Sequence, residues 1–172
     1  MSTPSRRYGR HLATMAVALP VAVAGLPAHA AAAAFPASAI TVNPSESHVV
    51  PGTRAEIHVN LEVPHGVDPG PVEVSMPLTG LPDGFELTTI SGAAKSCQID
   101  RQNQRAGCTG LVFLSFDSDL PGFTFPGSSW VTLGLQVTPG LSRDVDWSGV
   151  PVTVSTATES AVSNHDLATT RL

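Results

Sequence analysis

Short stretches of alternating apolar and polar residues recur along the 172-residue chain. In the clearest of them, 53–63, apolar side chains stand at every odd position from 55 to 63, with polar or charged residues between them. A period of two places successive side chains on opposite faces of an extended strand, so this stretch predicts a half-buried β-strand. The same period predicts strands over 72–76, 131–137 and 150–154, and the apolar run 111–116 predicts a strand that is buried more continuously.

Proline and glycine separate these predicted strands. They occur together at 51–52, 69–71, 82–84, 121–122, 126–127 and 139–140. Proline fixes φ and glycine accepts positive φ, so each site favours a turn. Many short strands joined by such turns are typical of two antiparallel sheets packed face to face, and we predict an all-β sandwich with one core.

The first thirty residues have the organisation of a secretory signal. Three arginines within the first ten residues precede an uncharged stretch rich in Ala, Val and Leu. Ala28-His29-Ala30 then places small residues at the two positions that signal peptidase recognises. A membrane anchor is the competing interpretation, but Pro20 and Pro27 interrupt the apolar run. We predict a cleaved signal peptide over 1–30, a flexible Ala-rich leader over 31–39, and a folded domain over 40–172 with no span in the mature protein. The twin-arginine route remains an alternative to general secretion.

Cys97 and Cys108 are the only cysteines in the sequence. An oxidising compartment favours a disulfide, and a metal site would need further ligands nearby. If the chain reverses at 102–103, Cys97 lies opposite Cys108 and Asp100 opposite Arg105 on neighbouring strands, at a separation that a disulfide tolerates. A redox-active pair is the alternative, but such pairs are usually CxxC motifs at a helix start, so we predict a structural bridge.

The order of several motifs resembles that of a bacterial surface module, the conserved repeat domain, also called domain of unknown function eleven. The matching stretches are 50–53 (VPGT), 81–85 (LPDGF), Cys97 with Cys108, 126–129 (PGSS), 156–158 (TAT) and 164–166 (NHD). The resemblance covers about 40–172 in a single copy. It implies an immunoglobulin-like antiparallel β-sandwich at or outside the bacterial cell surface, and it supplies no catalytic residues.

Charge and motif content exclude several functional classes. The chain has 9 Lys and Arg against 14 Asp and Glu, a formal charge of -5, so nucleic acid is not an expected partner. It contains no G-x-S-x-G, H-E-x-x-H, phosphate-binding P-loop or dinucleotide-binding motif. We therefore predict a protein without catalytic activity or cofactor, with a hydrolase of dispersed site residues as an alternative.

Two pairs of aspartates have the spacing that a hard cation takes from loop oxygens. They are Asp117 with Asp119 and Asp144 with Asp146. Neither pair is followed by the rest of a calcium-ligand pattern. They are weak calcium candidates, and the prediction is that no metal is bound.

Large aromatic residues cluster between 113 and 130. We expect those on the predicted strands, including Trp130, to pack in the core. Phe123 and Phe125 lie between two Pro-Gly pairs, so a stiff turn could present them to a partner, although loop packing is an alternative. Trp147 is either a second contact aromatic or a lid over the sandwich edge.

Together these features predict a secreted, non-catalytic module with a structural or interaction role. Its expected partner is an extracellular protein or a cell-envelope component, contacted through loops such as 117–127 and 143–149. The alternative is a secreted protein that binds a small molecule or carbohydrate, with the Phe-rich loop as a lid.

Overall fold

A computed structural model describes residues 35–45, 47–114 and 125–171, which all belong to the unit Ala32–Leu172. These residues form one 3-10 turn and twelve β-strands. In chain order they are the 3-10 turn Ala37–Ala39, β1 (Thr41–Pro44), β2 (Ser47–His48), β3 (Arg54–Val63), β4 (Glu73–Pro77), β5 (Phe85–Gly92), β6 (Ala94–Asp100), β7 (Arg105–Leu111), β8 (Gly127–Val137), β9 (Val145–Trp147), β10 (Val150–Ser155), β11 (Ser160–His165) and β12 (Ala168–Thr170).

The strands form two large antiparallel sheets and a small third one. The four-stranded sheet has the order β1-β3-β8-β5, and the five-stranded sheet has the order β11-β10-β4-β7-β6. The small sheet has the order β2-β12-β9, in which β12 runs parallel to β2 and antiparallel to β9. The predicted fold class, an all-β, immunoglobulin-like antiparallel β-sandwich with one disulfide, is confirmed. The predicted signal peptide over 1–30 lies outside the described residues.

Alternation along the strands places the apolar side chains between the large sheets. On β3 the buried residues are Ile57, Val59, Leu61 and Val63, as the period of two predicts. Residues from β4, β8 and β10 complete the core in the same way: Val74, Met76, Val131, Leu133, Leu135, Val137, Val152 and Val154. Removing this apolar surface from water is the main stabilising contribution to the fold.

The N-terminal part of the described chain packs more closely than a flexible leader would. Ala37 is fully buried, and the Ser38 backbone N–H and hydroxyl donate hydrogen bonds of 2.8 and 2.9 Å to the Glu159 carboxylate. Residues 35–39 were predicted to be the end of the leader. The packed domain therefore includes residues before position 40.

The disulfide hairpin has the predicted register. β6 and β7 pair antiparallel with Cys97 opposite Cys108 and Asp100 opposite Arg105, and the two cysteines are bonded with a Cα–Cα distance of 4.1 Å. Gln104 in the connecting turn has a φ of 52°. Its side-chain amide donates a 2.6 Å hydrogen bond to the Arg101 carbonyl. The sequence spacing thus predicts the covalent bond of this hairpin correctly.

The predicted strand over 111–116 is interrupted. β7 ends at Leu111 in the five-stranded sheet, and Leu114 then forms an isolated bridge to Ser128 in the four-stranded sheet. The chain thus passes from one sheet to the other within a few residues, which a simple apolar run cannot indicate. Residues 115–124, including the rest of that run, lie outside the described residues.

Asp100 caps the hairpin turn and gives it a dependence on pH. Its carboxylate accepts hydrogen bonds from the backbone N–H of Asn103 at 3.0 Å, the Asn103 side-chain amide at 2.6 Å and the backbone N–H of Gln102 at 3.1 Å. The two bonds from Asn103, first the backbone and then the side-chain one, lower the pKa of Asp100 below its ordinary value of 3.8. The ionised form is therefore the one that the folded state favours.

We expect the Asp100→Asn variant to lose less thermal stability on acidification than the wild type. A lowered carboxyl pKa contributes stability that is present above the ordinary value of 3.8 and lost as the pH falls through the folded value. Thermal melts in a pH series below that value would measure the difference in slope. Asp83→Asn, which changes an exposed carboxylate outside the hairpin, is the control. Identical slopes for Asp100→Asn and wild type would contradict the prediction.

Candidate interaction surface

Trp130 is exposed on the outer face of the four-stranded sheet. Along β8 the odd-numbered residues point into the core and the even-numbered ones point outward. Trp130 is 43% exposed, so its predicted place in the core is wrong. The sequence pattern does predict this exposure. The period of two that buries Val131 and Leu133 places Trp130, at an even-numbered position, on the opposite, outward face.

Two exposed aliphatic residues, Val112 and Leu114, are brought near Trp130 by backbone pairing where the chain changes sheets. The backbone N–H of Ala93 donates to the Trp130 carbonyl at 3.0 Å, and that of Val112 donates to the Ala93 carbonyl at 2.7 Å. Leu114 and Ser128 exchange two backbone hydrogen bonds of 2.8 Å, and Ser128 is two residues before Trp130 on the same face. Val112 and Leu114 are both exposed.

Phe125 lies at the same end of the sandwich, just before β8 begins. Its side chain is 51% exposed. Its carbonyl is 2.9 Å from Nδ1 of His65, in the loop that follows β3. We call Val112, Leu114, Phe125 and Trp130 the apolar patch. Phe123, the other predicted contact aromatic of this loop, lies outside the described residues.

Polar side chains border Trp130 on the adjoining strand. Asn60 of β3 lies directly opposite Trp130, and Glu62 lies opposite Ser128. His58 Nδ1 is 3.0 Å from the Thr132 hydroxyl, across the next outward-facing pair. The surface thus combines an aromatic ring with amide, carboxylate, imidazole and hydroxyl groups on one rigid face.

Trp147 is not available as a contact residue. The side chain is 2% exposed and packs in the core, while its strand, β9, pairs with β12. The Trp147 carbonyl accepts a 2.8 Å hydrogen bond from the Leu167 backbone N–H. The prediction of a second contact aromatic is therefore wrong, because the ring is part of the hydrophobic core.

The aspartates and histidines of the metal and hydrolase alternatives lie mostly at the surface where the structure describes them. The described residues contain no group of three or more His, Cys, Asp or Glu side chains arranged to hold a metal ion. Asp144 and Asp146 are both exposed, whereas Asp117 and Asp119 lie outside the described part of the chain. His48, His58 and His65 are exposed, and His165 is half-buried, with Nε2 2.8 Å from the Ser163 hydroxyl.

Within residues 35–45, 47–114 and 125–171, no helix has the length and apolar character that crossing a membrane requires.

Comparisons with known proteins found similarity in structure but not in sequence. No protein-family model and no curated protein sequence matches the chain. A cohesin of ScaC from Acetivibrio cellulolyticus, solved in complex with the ScaB dockerin, has a TM-score of 0.45 and 10% identity over 77% of this chain and 98% of its own. The OlpC cohesin from Clostridium thermocellum has a TM-score of 0.43 and 15% identity, over 77% and 88%. A fragment of the major pilin GBS80 of Streptococcus agalactiae has a TM-score of 0.43 and 8% identity, over 75% and 56%.

Proposed function

We propose that the protein is a secreted, non-catalytic β-sandwich module that binds a protein partner outside the cell through the apolar patch. The observation that carries the proposal is the 43% exposure of Trp130 on β8, a strand paired on both sides. Exposed tryptophans on rigid elements are frequent hot spots of protein interfaces, because a large ring is buried at little cost in conformational entropy.

The surroundings of Trp130 support a protein partner. Val112, Leu114 and Phe125 are further exposed apolar residues that the backbone pairing and the chain order place near Trp130, and clusters of exposed apolar residues mark interaction sites. Asn60 and Glu62 provide hydrogen-bonding groups beside it. An apolar centre with a polar border is the usual composition of a protein interface.

The proposed location depends on the N-terminal sequence and the cysteine pair. The arginines followed by an apolar stretch and Ala28-His29-Ala30 have the order of a cleaved export signal. The Cys97–Cys108 bond is of a kind that persists in oxidising compartments. Both features support a product released outside the cell or held loosely at its envelope, and membership of the conserved repeat domain family remains part of the proposal.

The expected result of changing the patch is a loss of binding without a loss of folding. The wild-type protein is used to capture partners from envelope and culture extracts, and the partner is then purified for direct titration. Trp130→Ser should weaken its affinity by about 30-fold or more, because a hot-spot residue contributes at least about 2 kcal/mol. Phe125→Ser tests the edge of the same patch.

Val50→Ser is the matched control. Val50 is 62% exposed and lies outside the apolar patch, so its replacement should leave the affinity unchanged. Thermal melts of all variants establish that each is folded. Equal binding by the wild type and Trp130→Ser would refute the proposed site.

A neutral carbohydrate is the second candidate ligand. The Trp130 ring lies beside Asn60, whose amide could bond sugar hydroxyls while the apolar face of a sugar ring stacks on the indole. Titration of Trp130 fluorescence with neutral oligosaccharides distinguishes the two candidates. A saturable change with a sugar, lost in Trp130→Ser, would favour the carbohydrate over the protein partner.

A further inference from the structure

The edge strand β11 has one side without a backbone partner among the described residues. It pairs with β10 over all six of its residues, from Ser160 to His165. In the described part of the chain, no backbone hydrogen bond from another segment reaches its outer side. The 3-10 turn Ala37–Ala39 packs against β11 and β10, but its Ser38 bonds to the side chain of Glu159, which precedes the strand, and not to the strand's backbone.

The other sheet edges carry features that discourage pairing with another chain. β1 ends in Pro44, β5 has a bulge between Leu87 and Thr89, and β6 contains Lys95 and Asp100. The small-sheet edges β2 and β9 have only two and three residues. Proline, bulges, charges and short length are the means by which proteins keep sheet edges from joining.

β11 has none of these features. Its sequence, SAVSNH, contains no Lys, Arg, Asp, Glu or Pro, and its register with β10 is regular throughout. Val162, at its centre, is 62% exposed on the outer face of the sheet. A regular, uncharged edge with an exposed apolar residue is a template for another strand.

We propose that β11 pairs antiparallel with β11 of a second copy of this chain, joining the two five-stranded sheets edge to edge. A two-fold axis perpendicular to the joined sheet makes the interface isologous, so each copy contributes the same residues. This surface is separate from the apolar patch, and the inference does not depend on the proposed partner binding.

The alternation of side chains restricts the register of such a pair. Residues directly opposite in an antiparallel pair point to the same face, so their positions differ by zero or an even number. Centring the axis on Val162 sets it against Val162 of the partner subunit. The same register sets Ser160 opposite Asn164 of the partner subunit, so hydroxyl and amide groups meet beside the two valines.

In the same register, the residues at the two ends of the paired strands are chemically complementary between the two copies. Glu159 precedes the strand and its carboxylate is held by Ser38; it comes opposite His165 of the partner subunit when the pairing continues by one residue beyond β11. An acidic side chain and an imidazole are thus neighbours at both ends of the interface. A second copy therefore fits this edge in both apolar and polar contacts.

Disulfide trapping tests the register. Val162→Cys places two thiols at directly opposite positions, where the Cα atoms of paired strands are about 4.5–5.5 Å apart, within the range of a disulfide. Because Cys97 and Cys108 are already bonded to each other, the new thiol is free to link two copies. The full chain carrying Val162→Cys should form a covalent dimer under mild oxidation.

Val50→Cys is the matched control, since Val50 is also 62% exposed and lies outside the sheet edge. It should remain monomeric under the same conditions. Equal yields of covalent dimer from the two variants would overturn the proposed register and the proposal with it.

Sedimentation over a range of concentrations tests the association itself. The wild type should dimerise, and Val162→Lys should raise its dissociation constant by about tenfold or more, because like charges meet at the centre of the edge. Val50→Lys and Trp130→Ser should dimerise as the wild type does. A monomeric wild type at every concentration, or a dimer abolished by Trp130→Ser instead of Val162→Lys, would overturn the proposal.

Discussion

Replacing Trp147 by alanine is expected to lower the free energy of unfolding by about 3–5 kcal/mol. The indole is one of the largest fully buried side chains in the described part of the chain, and its removal leaves a cavity in addition to the lost burial. Because domains of this kind have a total stability of about 5–15 kcal/mol, this single change removes a large part of it. Urea denaturation with the disulfide intact measures the loss.

The second tryptophan of the chain provides the control. Trp130→Ala removes the same side chain from an exposed position and should cost less than about 1 kcal/mol. The two variants also allow the fluorescence of each tryptophan to be measured separately. The two emissions differ because Trp130 is exposed to water and Trp147 is not. Emission at short wavelength should therefore persist in Trp130→Ala and be lost in Trp147→Ala. Similar stability losses in the two variants would show that Trp147 does not hold the core.

Removing the disulfide by the double change Cys97→Ala and Cys108→Ala is expected to lower the free energy of unfolding by about 3 kcal/mol. The bond joins residues separated by 11 positions, and it restricts the unfolded chain more than the folded one. Alanine is chosen because Cys108 is fully buried, and serine would place a hydroxyl in the core. Chemical denaturation of the double variant measures the change.

Reduction of the wild-type protein is the internal comparison. If the bond itself is responsible, the reduced wild type and the double variant should unfold at similar denaturant concentrations, both below that of the oxidised protein. A loss well under about 1 kcal/mol in the double variant would mean that the backbone pairing of β6 and β7 already holds the hairpin.

Where the pattern is long and local, the sequence was sufficient to predict the structure. β3 could be predicted with its buried face because ten residues alternate without interruption. The Cys97–Cys108 register followed from the position of one turn, which fixes every pair in a hairpin. Both cases depend only on neighbouring residues.

The errors arose where burial depends on distant segments. Trp147 belongs to a strand of three residues, too short to show a period, and it is buried by packing that includes segments far away in the sequence. Leu114 is exposed because the chain changes sheets after Leu111, which a continuous apolar run conceals. Trp130 differs for another reason, because its aromatic character predicts burial whereas its even-numbered position in β8 faces outward.

The edge strand β11 was also missed. Val162 is its only large apolar residue, so the period of two carries almost no hydrophobic signal there. Three of the four residues of the apolar patch, Val112, Leu114 and Trp130, were likewise expected to be buried. The location of the candidate surface is thus a property of the tertiary arrangement more than of local sequence.

The parallel pairing of β2 with β12 has a consequence for the order of folding during synthesis. Ser47 pairs with Ala168, and the neighbouring Leu167 and Thr170 are fully buried, so the core is incomplete without this late segment. A ribosome must translate nearly the whole sandwich before these residues emerge, and contacts so distant in sequence form slowly. The sandwich therefore completes its core only after nearly all of its strands have been synthesised.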